Sequence, residues 1–175
     1  MTSYRRILFV SLSLTVLLLA VGTLAGACDG DDGLTLEEYF QQVETLDEEL
    51  DERVEALEFT EEFASEEEDT LAFQGYFAAG VPILAEFVDA LDDLDPPAEI
   101  EDAHEEVVDS GRDFVTEYEE LVNELLADAG PSSALSLRAF DNPEYEAASD
   151  RFLHACFALQ DIADANGIEV DLTCR

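Results

Sequence analysis

Apolar side chains recur every three or four residues through most of this chain, although 44 of its 175 residues are Asp or Glu. This spacing places the apolar residues on one face of an α-helix and leaves the acidic residues on the opposite face. A disordered acidic segment lacks such a pattern, because it has too little apolar surface to bury. The pattern therefore predicts an all-α domain with a hydrophobic core and an acidic surface.

Capping residues, prolines and glycines divide the pattern into four long segments. Thr35 with Glu38, and Ser65 with Glu68, fit capping boxes at the starts of the first two helices. The remaining boundaries are predicted at Asp95-Pro96-Pro97, which ends the second helix and opens the third, at Gly130-Pro131, at Asn142-Pro143 and at Asn166-Gly167. Residues 131–143 are predicted to form a loop with one short helical turn.

Together these segments predict an antiparallel four-helix bundle with short connections. Gly80 and Pro82 interrupt the second helix, so a kink is expected there. The alternation of apolar and polar residues from Ile168 to Cys174 predicts a short extended C-terminal tail.

The N-terminal residues have the three parts of an export signal. Arg5 and Arg6 precede an apolar stretch at residues 7–25, and small residues then lead to Cys28. The stretch is also long enough to span a bilayer, so an uncleaved anchor is the alternative. The predicted organisation is a signal peptide at 1–27, a flexible tether at 28–34 and an acidic helical domain at 35–175.

Leu24-Ala25-Gly26-Ala27-Cys28 resembles the lipobox of bacterial lipoproteins, although the commonest lipobox has Leu at the position of Ala25. The resemblance covers only the first 28 residues. It implies that Cys28 is lipidated, and that the mature protein is held at the membrane on the periplasmic or cell-surface side. Ala25-x-Ala27 also suits ordinary signal cleavage, which would give a secreted protein with a free Cys28. Arg5-Arg6 resembles a twin-arginine export signal, but the strongly apolar stretch favours the general route.

The cysteine count bears on the same question. If Cys28 is acylated, Cys156 and Cys174 remain, and two cysteines can pair in an oxidising compartment. A helix from Cys156 to Asn166 covers about 15 Å, and the eight residues after it can span roughly 25 Å when extended. The tail can therefore return to Cys156. A buried free thiol at Cys156 is the alternative to this disulfide.

The charge of the mature chain limits its partners. From Cys28 onward, 44 acidic residues stand against five arginines and no lysine, a net charge of −39. Such a surface repels nucleic acid and anionic lipid head groups, and it attracts cations or a basic protein. The densest acidic runs are Glu66, Glu67, Glu68 and Asp69, and Asp92, Asp93 and Asp95. Carboxylate oxygens gathered in this way suit a hard cation such as calcium, although most acidic runs are solvated faces. The charge pattern does not predict an oligomeric state.

Motifs for catalysis are weak. Glu101-x-x-His104 is similar to the Glu-x-x-His element of di-iron bundles, but the element occurs once, and a hydrogen-bonded core histidine is the alternative. The sequence has no phosphate-binding loop, nucleophile elbow or zinc-type cysteine cluster, and no cofactor is predicted. Residues Phe73 to Gly80, beside the expected kink, are candidates for lining a ligand cavity or for ordinary core packing.

These patterns favour a non-enzymatic binding or interaction module that is exported and anchored to the membrane by its lipid. The alternatives are an extracytoplasmic protein that binds divalent cations and a metal-dependent enzyme built on a helical bundle.

Overall fold

The computed structural model describes residues 33–57, 65–128 and 130–174. Its helices are α1 (Leu36–Glu55), α2 (Glu66–Asp92), α3 (Glu101–Ala127), α4 (Ser132–Phe140) and α5 (Pro143–Ala165). All regular secondary structure in these residues is helical, which confirms the predicted all-α class. The predicted signal peptide, Cys28 and most of the tether lie outside the described residues.

Three helices begin at the residues predicted to cap them. In each case a side-chain oxygen accepts a hydrogen bond from the backbone N–H three residues on, and the caps are Thr35, Ser65 and Asn142. At α1 the capping box is complete, because the carboxylate of Glu38 also accepts the Thr35 N–H at 3.1 Å. Pro143 occupies the first position of α5, where its missing N–H costs no helical hydrogen bond.

The start of α3 differs from the prediction. The helix begins at Glu101 rather than at the two prolines. The residue before it, Ile100, is buried and only 4% exposed. The Ile100 N–H donates to the Pro97 carbonyl at 2.9 Å, which closes a turn. Burial of this side chain thus requires a turn between the prolines and the helix, and cap signals alone do not predict that turn.

The segment predicted as a loop contains a fifth helix. α4 covers nine residues, Ser132–Phe140, where a single helical turn was expected. Leu135 is 1% exposed and packs against Leu121 and Leu125 of α3. Such a short helix is marginal alone, so contacts with the rest of the domain stabilise it.

α3 is the central helix of the described domain. It packs against both α2 and α5, while α1 packs against α2, and α4 contacts α2 and α3. The main core draws side chains from α1, α2, α3, α5 and the tail, and its largest fully buried members are Tyr39, Phe40, Leu91 and Leu159. The acidic residues lie mainly outside this core, as the helical pattern predicts.

The predicted disulfide is present. Cys156 on α5 and Cys174 in the tail are bonded, with their Cα atoms 5.7 Å apart. The left-handed backbone of Gly167, with φ +70°, turns the chain away from α5 and starts its return.

The tail lies between α1 and α5 and is not helical. Backbone N–H groups of residues 171–173 donate to the side chains of Glu44, Gln160 and Asp47, at 3.0, 2.9 and 2.7 Å respectively. Leu172 is buried in the main core. The tail therefore closes the domain by hydrogen bonds, apolar contact and a covalent bond.

Candidate functional site

One helix has a long segment without charge. Residues 70–85 of α2 contain no Asp, Glu, Lys or Arg, in a chain of which 29% is charged. Asp69 and Glu86 bound this segment. By length and composition, α2 is the one helix among the described residues that could cross a membrane, and a core helix of a soluble domain meets the same criteria.

Part of this uncharged segment faces solvent. Leu71 is 62% exposed, Gly75 and Pro82 are exposed, and Ala78 and Ala79 are partly exposed. Spacings of three and four residues place these side chains on one side of the helix. We call this surface, formed by Leu71, Gly75, Ala78, Ala79 and Pro82, the α2 face.

Acidic residues continue the same line at both ends of the α2 face. Glu67 and Glu68 precede Leu71 by four and three residues, and both are exposed. Beyond Pro82, at the same spacings, come the exposed residues Glu86, Asp89 and Asp93. The outer side of α2 is thus acidic, then apolar, then acidic along its length.

An aromatic cluster supports the α2 face from inside the domain. It joins α2, α3 and α5 through ring contacts with centroids 4.7 to 6.2 Å apart. Its members are Phe73, Phe77, Phe114, Tyr118, Tyr145 and Phe152. Burial raises the pKa of Tyr118 and of Tyr145. These contacts are core packing at the position where a ligand cavity was considered.

A small cavity lies elsewhere in the domain. Its volume is about 20 Å³, and apolar side chains of four helices and the tail line it, among them Val43, Leu159 and Leu172. This is room for about one water molecule. The cavity is a packing gap in the core and offers little space for a ligand.

The backbone of α2 is supported by α3 beside Pro82. Pro82 has no N–H, so α2 lacks the usual helical hydrogen bond to the carbonyl of Ala78. The hydroxyl of Tyr118 donates to the neighbouring Phe77 carbonyl at 3.0 Å. A Cβ atom at Gly80 would lie 2.8 Å from that hydroxyl oxygen, so glycine is what allows Tyr118 to approach. Whether α2 is kinked here remains a prediction.

The acidic runs considered for cation binding lie at opposite ends of α2. Glu66 and Asp92 are about 39 Å apart at 1.5 Å per residue. The run from Glu66 to Asp69 forms the first turn, where carboxylates stabilise the helix dipole. Asp69 accepts a hydrogen bond from the Ser132 hydroxyl, and Asp92 forms an ion pair with Arg112 at 2.5 Å. The two runs are therefore separate, and no group of three or more His, Cys, Asp or Glu in the described residues is arranged to hold a metal.

His104 is part of the core. It is 6% exposed, and its Nδ1 lies 3.0 Å from the hydroxyl oxygen of the fully buried Tyr39. In the neutral tautomer that carries its proton on Nε2, the Tyr39 hydroxyl donates and Nδ1 accepts; in the other tautomer Nδ1 donates to the hydroxyl oxygen. Burial lowers the pKa of His104, although Asp92 and Glu105 oppose this shift. Glu101, the other residue of the Glu-x-x-His element, is exposed in the first turn of α3.

The lowered pKa of His104 predicts how stability changes with pH. The folded state disfavours the imidazolium. The stability contributed by neutral His104 is therefore complete above about pH 6.5, the pKa in the unfolded chain, and it declines as the pH falls below that value. H104N keeps an acceptor for the Tyr39 hydroxyl but does not titrate. Urea unfolding at pH 7.5 and 5.5 should therefore show a larger loss of stability for the wild type than for H104N. Equal losses would mean that protonation of His104 is not coupled to folding.

Sequence reasoning missed two buried polar residues, Ser110 and Gln74, and the second of them joins two helices. Gln74 lies within the uncharged segment and is 8% exposed. Its side-chain amide donates to the carbonyls of Leu125 and Asp128 at 2.6 and 3.0 Å, which connects α2 to the C-terminal end of α3. The sequence shows that residues 70–85 carry no charge, but it does not show which of their side chains are exposed.

Comparison with known protein families, curated proteins and solved structures finds no match to this chain.

Proposed function

We propose that this protein is exported, cleaved before Cys28 and anchored there by lipid, and that its domain is a non-enzymatic binding module. The domain is proposed to be an antiparallel four-helix bundle, kinked at Pro82. The Cys156–Cys174 disulfide supports an oxidising, extracytoplasmic location, because disulfides persist in such compartments. Acyl chains supply the anchor, since each buried methylene contributes roughly 0.8 kcal/mol to membrane binding.

The observation that carries the binding role is the exposure of the α2 face. Leu71 is the most exposed large apolar side chain of this uncharged surface, in a protein whose net charge is −37 over its full length. Apolar surfaces larger than a few hundred Å² mark interaction sites on soluble domains. The α2 face is smaller, so its position between two acidic ends, rather than its area, supports the binding role. The aromatic cluster beneath joins α2 to α3 and α5, so packed helices support the α2 face from inside the domain.

The anchor is tested by fatty-acid labelling and intact mass. Protein from expressing bacteria is expected to carry labelled fatty acid and to begin at an acylated Cys28. C28S is expected to incorporate no label, whereas the C156S/C174S double variant retains it. A soluble protein with a free Cys28 thiol would instead establish ordinary signal cleavage. A chain beginning at Met1 in the membrane would establish an uncleaved anchor.

The cation-binding alternative is favoured by one feature of α2. Asp92 and Asp93 lie at its C-terminal end, and the last turn contains no basic residue, although Arg112 of α3 pairs with Asp92. Carboxylates at this end oppose the helix dipole, so a bound cation would relieve an unfavourable arrangement. No geometry in residues 33–57, 65–128 or 130–174 supports the metal-dependent enzyme alternative.

Thermal unfolding separates this alternative from general screening. Monovalent salt is expected to raise the unfolding midpoint, because it screens repulsion among the carboxylates. A specific site for calcium or magnesium would raise the midpoint further at matched ionic strength, since a ligand of the folded state stabilises it by mass action. Equal midpoints in all three salts would rule out the cation-binding alternative.

A further inference from the structure

We propose that the α2 face binds a helix of a partner protein that is apolar at its centre and basic at both ends. This inference rests on the proposed function and names the partner's chemistry. It follows from the charge pattern along the outer side of α2, from the size of the uncharged surface and from the space above Gly75.

The charge pattern selects the partner's ends. Glu67 and Glu68 lie at one end of the α2 face, and Glu86, Asp89 and Asp93 lie at the other. Glu86 already pairs with Arg53 at 2.7 Å, which shows an arginine side chain reaching this line of carboxylates from α1. Lysines or arginines at both ends of a docked helix would face these carboxylates. Opposite charges across an interface favour encounter and fix the orientation of the partner.

The length of the uncharged segment selects the partner's centre. Sixteen residues, 70–85, separate Asp69 from Glu86. At 1.5 Å per residue they cover about 24 Å, or roughly four and a half turns. A Cβ atom at Gly75 would meet nothing within 4 Å, so the middle of the α2 face is open to solvent and can accept side chains of a neighbouring helix. Docking of an amphipathic helix by its apolar side is a recurrent mode of recognition.

Two other occupants fit less well. From Leu71 to Pro82 the α2 face is about 17 Å long and about 10 Å wide, or roughly 170 Å², far below the ~800 Å² per partner of a stable dimer interface. A second copy would also bring acidic ends together in either orientation, with like charges opposed. A membrane with anionic head groups would meet the same carboxylates unfavourably. A single basic-ended helix, bound weakly and reversibly, matches both the size and the charge.

The test uses the exported protein as it is isolated from the expressing bacteria, purified in a nonionic detergent, and a fluorescein-labelled synthetic helix. The peptide has an amphipathic centre of about 16 residues, with Leu and Ala on one side and Gln on the other, and three lysines at each end. Fluorescence anisotropy should show saturable binding to the wild type. A peptide with the same centre and glutamates at both ends is expected to bind at least tenfold more weakly.

Two variants locate the site. G75E adds a carboxylate in the open centre of the α2 face and is expected to weaken peptide binding about tenfold or more. T116E adds the same charge at an exposed position of α3 and is the matched control, with an affinity expected to equal that of the wild type. Far-ultraviolet circular dichroism and the unfolding midpoint confirm that both variants fold.

Four results would overturn the inference. The first two are the absence of saturable binding to the wild type and equal binding to wild type and G75E. The third is self-association of the wild type in sedimentation that G75E abolishes, which would assign the α2 face to a second copy. The fourth is binding of C28S to phosphatidylcholine vesicles that is lost in C28S/G75E, which would assign the α2 face to a membrane. Fatty-acid labelling of Cys28 is a separate measurement. If the peptide does not bind, the proposed anchor is unaffected, and if Cys28 is not labelled, peptide binding can still be interpreted.

Discussion

Loss of the Cys156–Cys174 disulfide is expected to lower the free energy of unfolding by roughly 3 kcal/mol. The bond closes a loop with a sequence separation of 18 residues, and cross-links of this size stabilise by about that amount, chiefly by restricting the unfolded chain. Domains of ordinary stability unfold at a cost of about 5 to 15 kcal/mol, so the loss is a large fraction of the total. Urea unfolding of the wild type, with and without reductant, measures it.

The C156A/C174A double variant separates the disulfide from other effects of reductant. Its stability should equal that of the reduced wild type and should not respond to reductant. Amide hydrogen exchange at residues 171–173 gives a second readout, because these N–H groups donate to Glu44, Gln160 and Asp47 only while the tail is docked. Exchange is expected to accelerate in the variant. Unchanged stability and exchange would mean that Leu172 and the tail's hydrogen bonds hold it without the covalent bond.

Signals that lie within a few residues predicted the structure well. Thr35, Ser65 and Asn142 cap the helices that they were expected to cap, because each side chain bonds a backbone N–H three residues away. The disulfide was also predictable, since chain length and helix rise show that the tail can return to Cys156. The caps depend on local geometry and the disulfide on a stretch of 18 residues, so both can be predicted from short parts of the sequence.

Features that depend on distant contacts were missed or misplaced. α4 forms because Leu135 is buried against α3, and α3 starts late because Ile100 is buried before it. The aromatic rings near Pro82 suggested a cavity, yet Tyr118 and Phe114 of α3 pack there. The exposure of Leu71 depends on where α3 and α4 lie relative to α2. Periodicity identifies an apolar residue but does not say which neighbour covers it.

The contact between Gly80 and Tyr118 gives the second large effect. G80A would place its Cβ 2.8 Å from the Tyr118 hydroxyl oxygen, and the ring has little freedom to move, because Phe77, Phe114 and Tyr145 contact it. Overpacking of this kind costs about 1 to 3 kcal/mol, which exceeds the gain of up to about 1 kcal/mol from replacing a helical glycine by alanine. We therefore expect G80A to lower the free energy of unfolding. Urea is used as the denaturant because it is uncharged and does not screen the carboxylates.

Removal of the hydroxyl should reverse the sign of this effect. Y118F alone loses the hydrogen bond to the Phe77 carbonyl and is expected to cost about 1 kcal/mol. In the Y118F background the nearest ring atoms are 3.4 and 3.5 Å from the new Cβ, an ordinary contact, so G80A should now stabilise the protein.

G75A, on the same helix with open space around its Cβ, is the control and should stabilise in both backgrounds. If G80A instead has the same effect with and without the Tyr118 hydroxyl, the two residues are not coupled. The support that α3 gives to α2 beside Pro82 would then come from the aromatic rings alone.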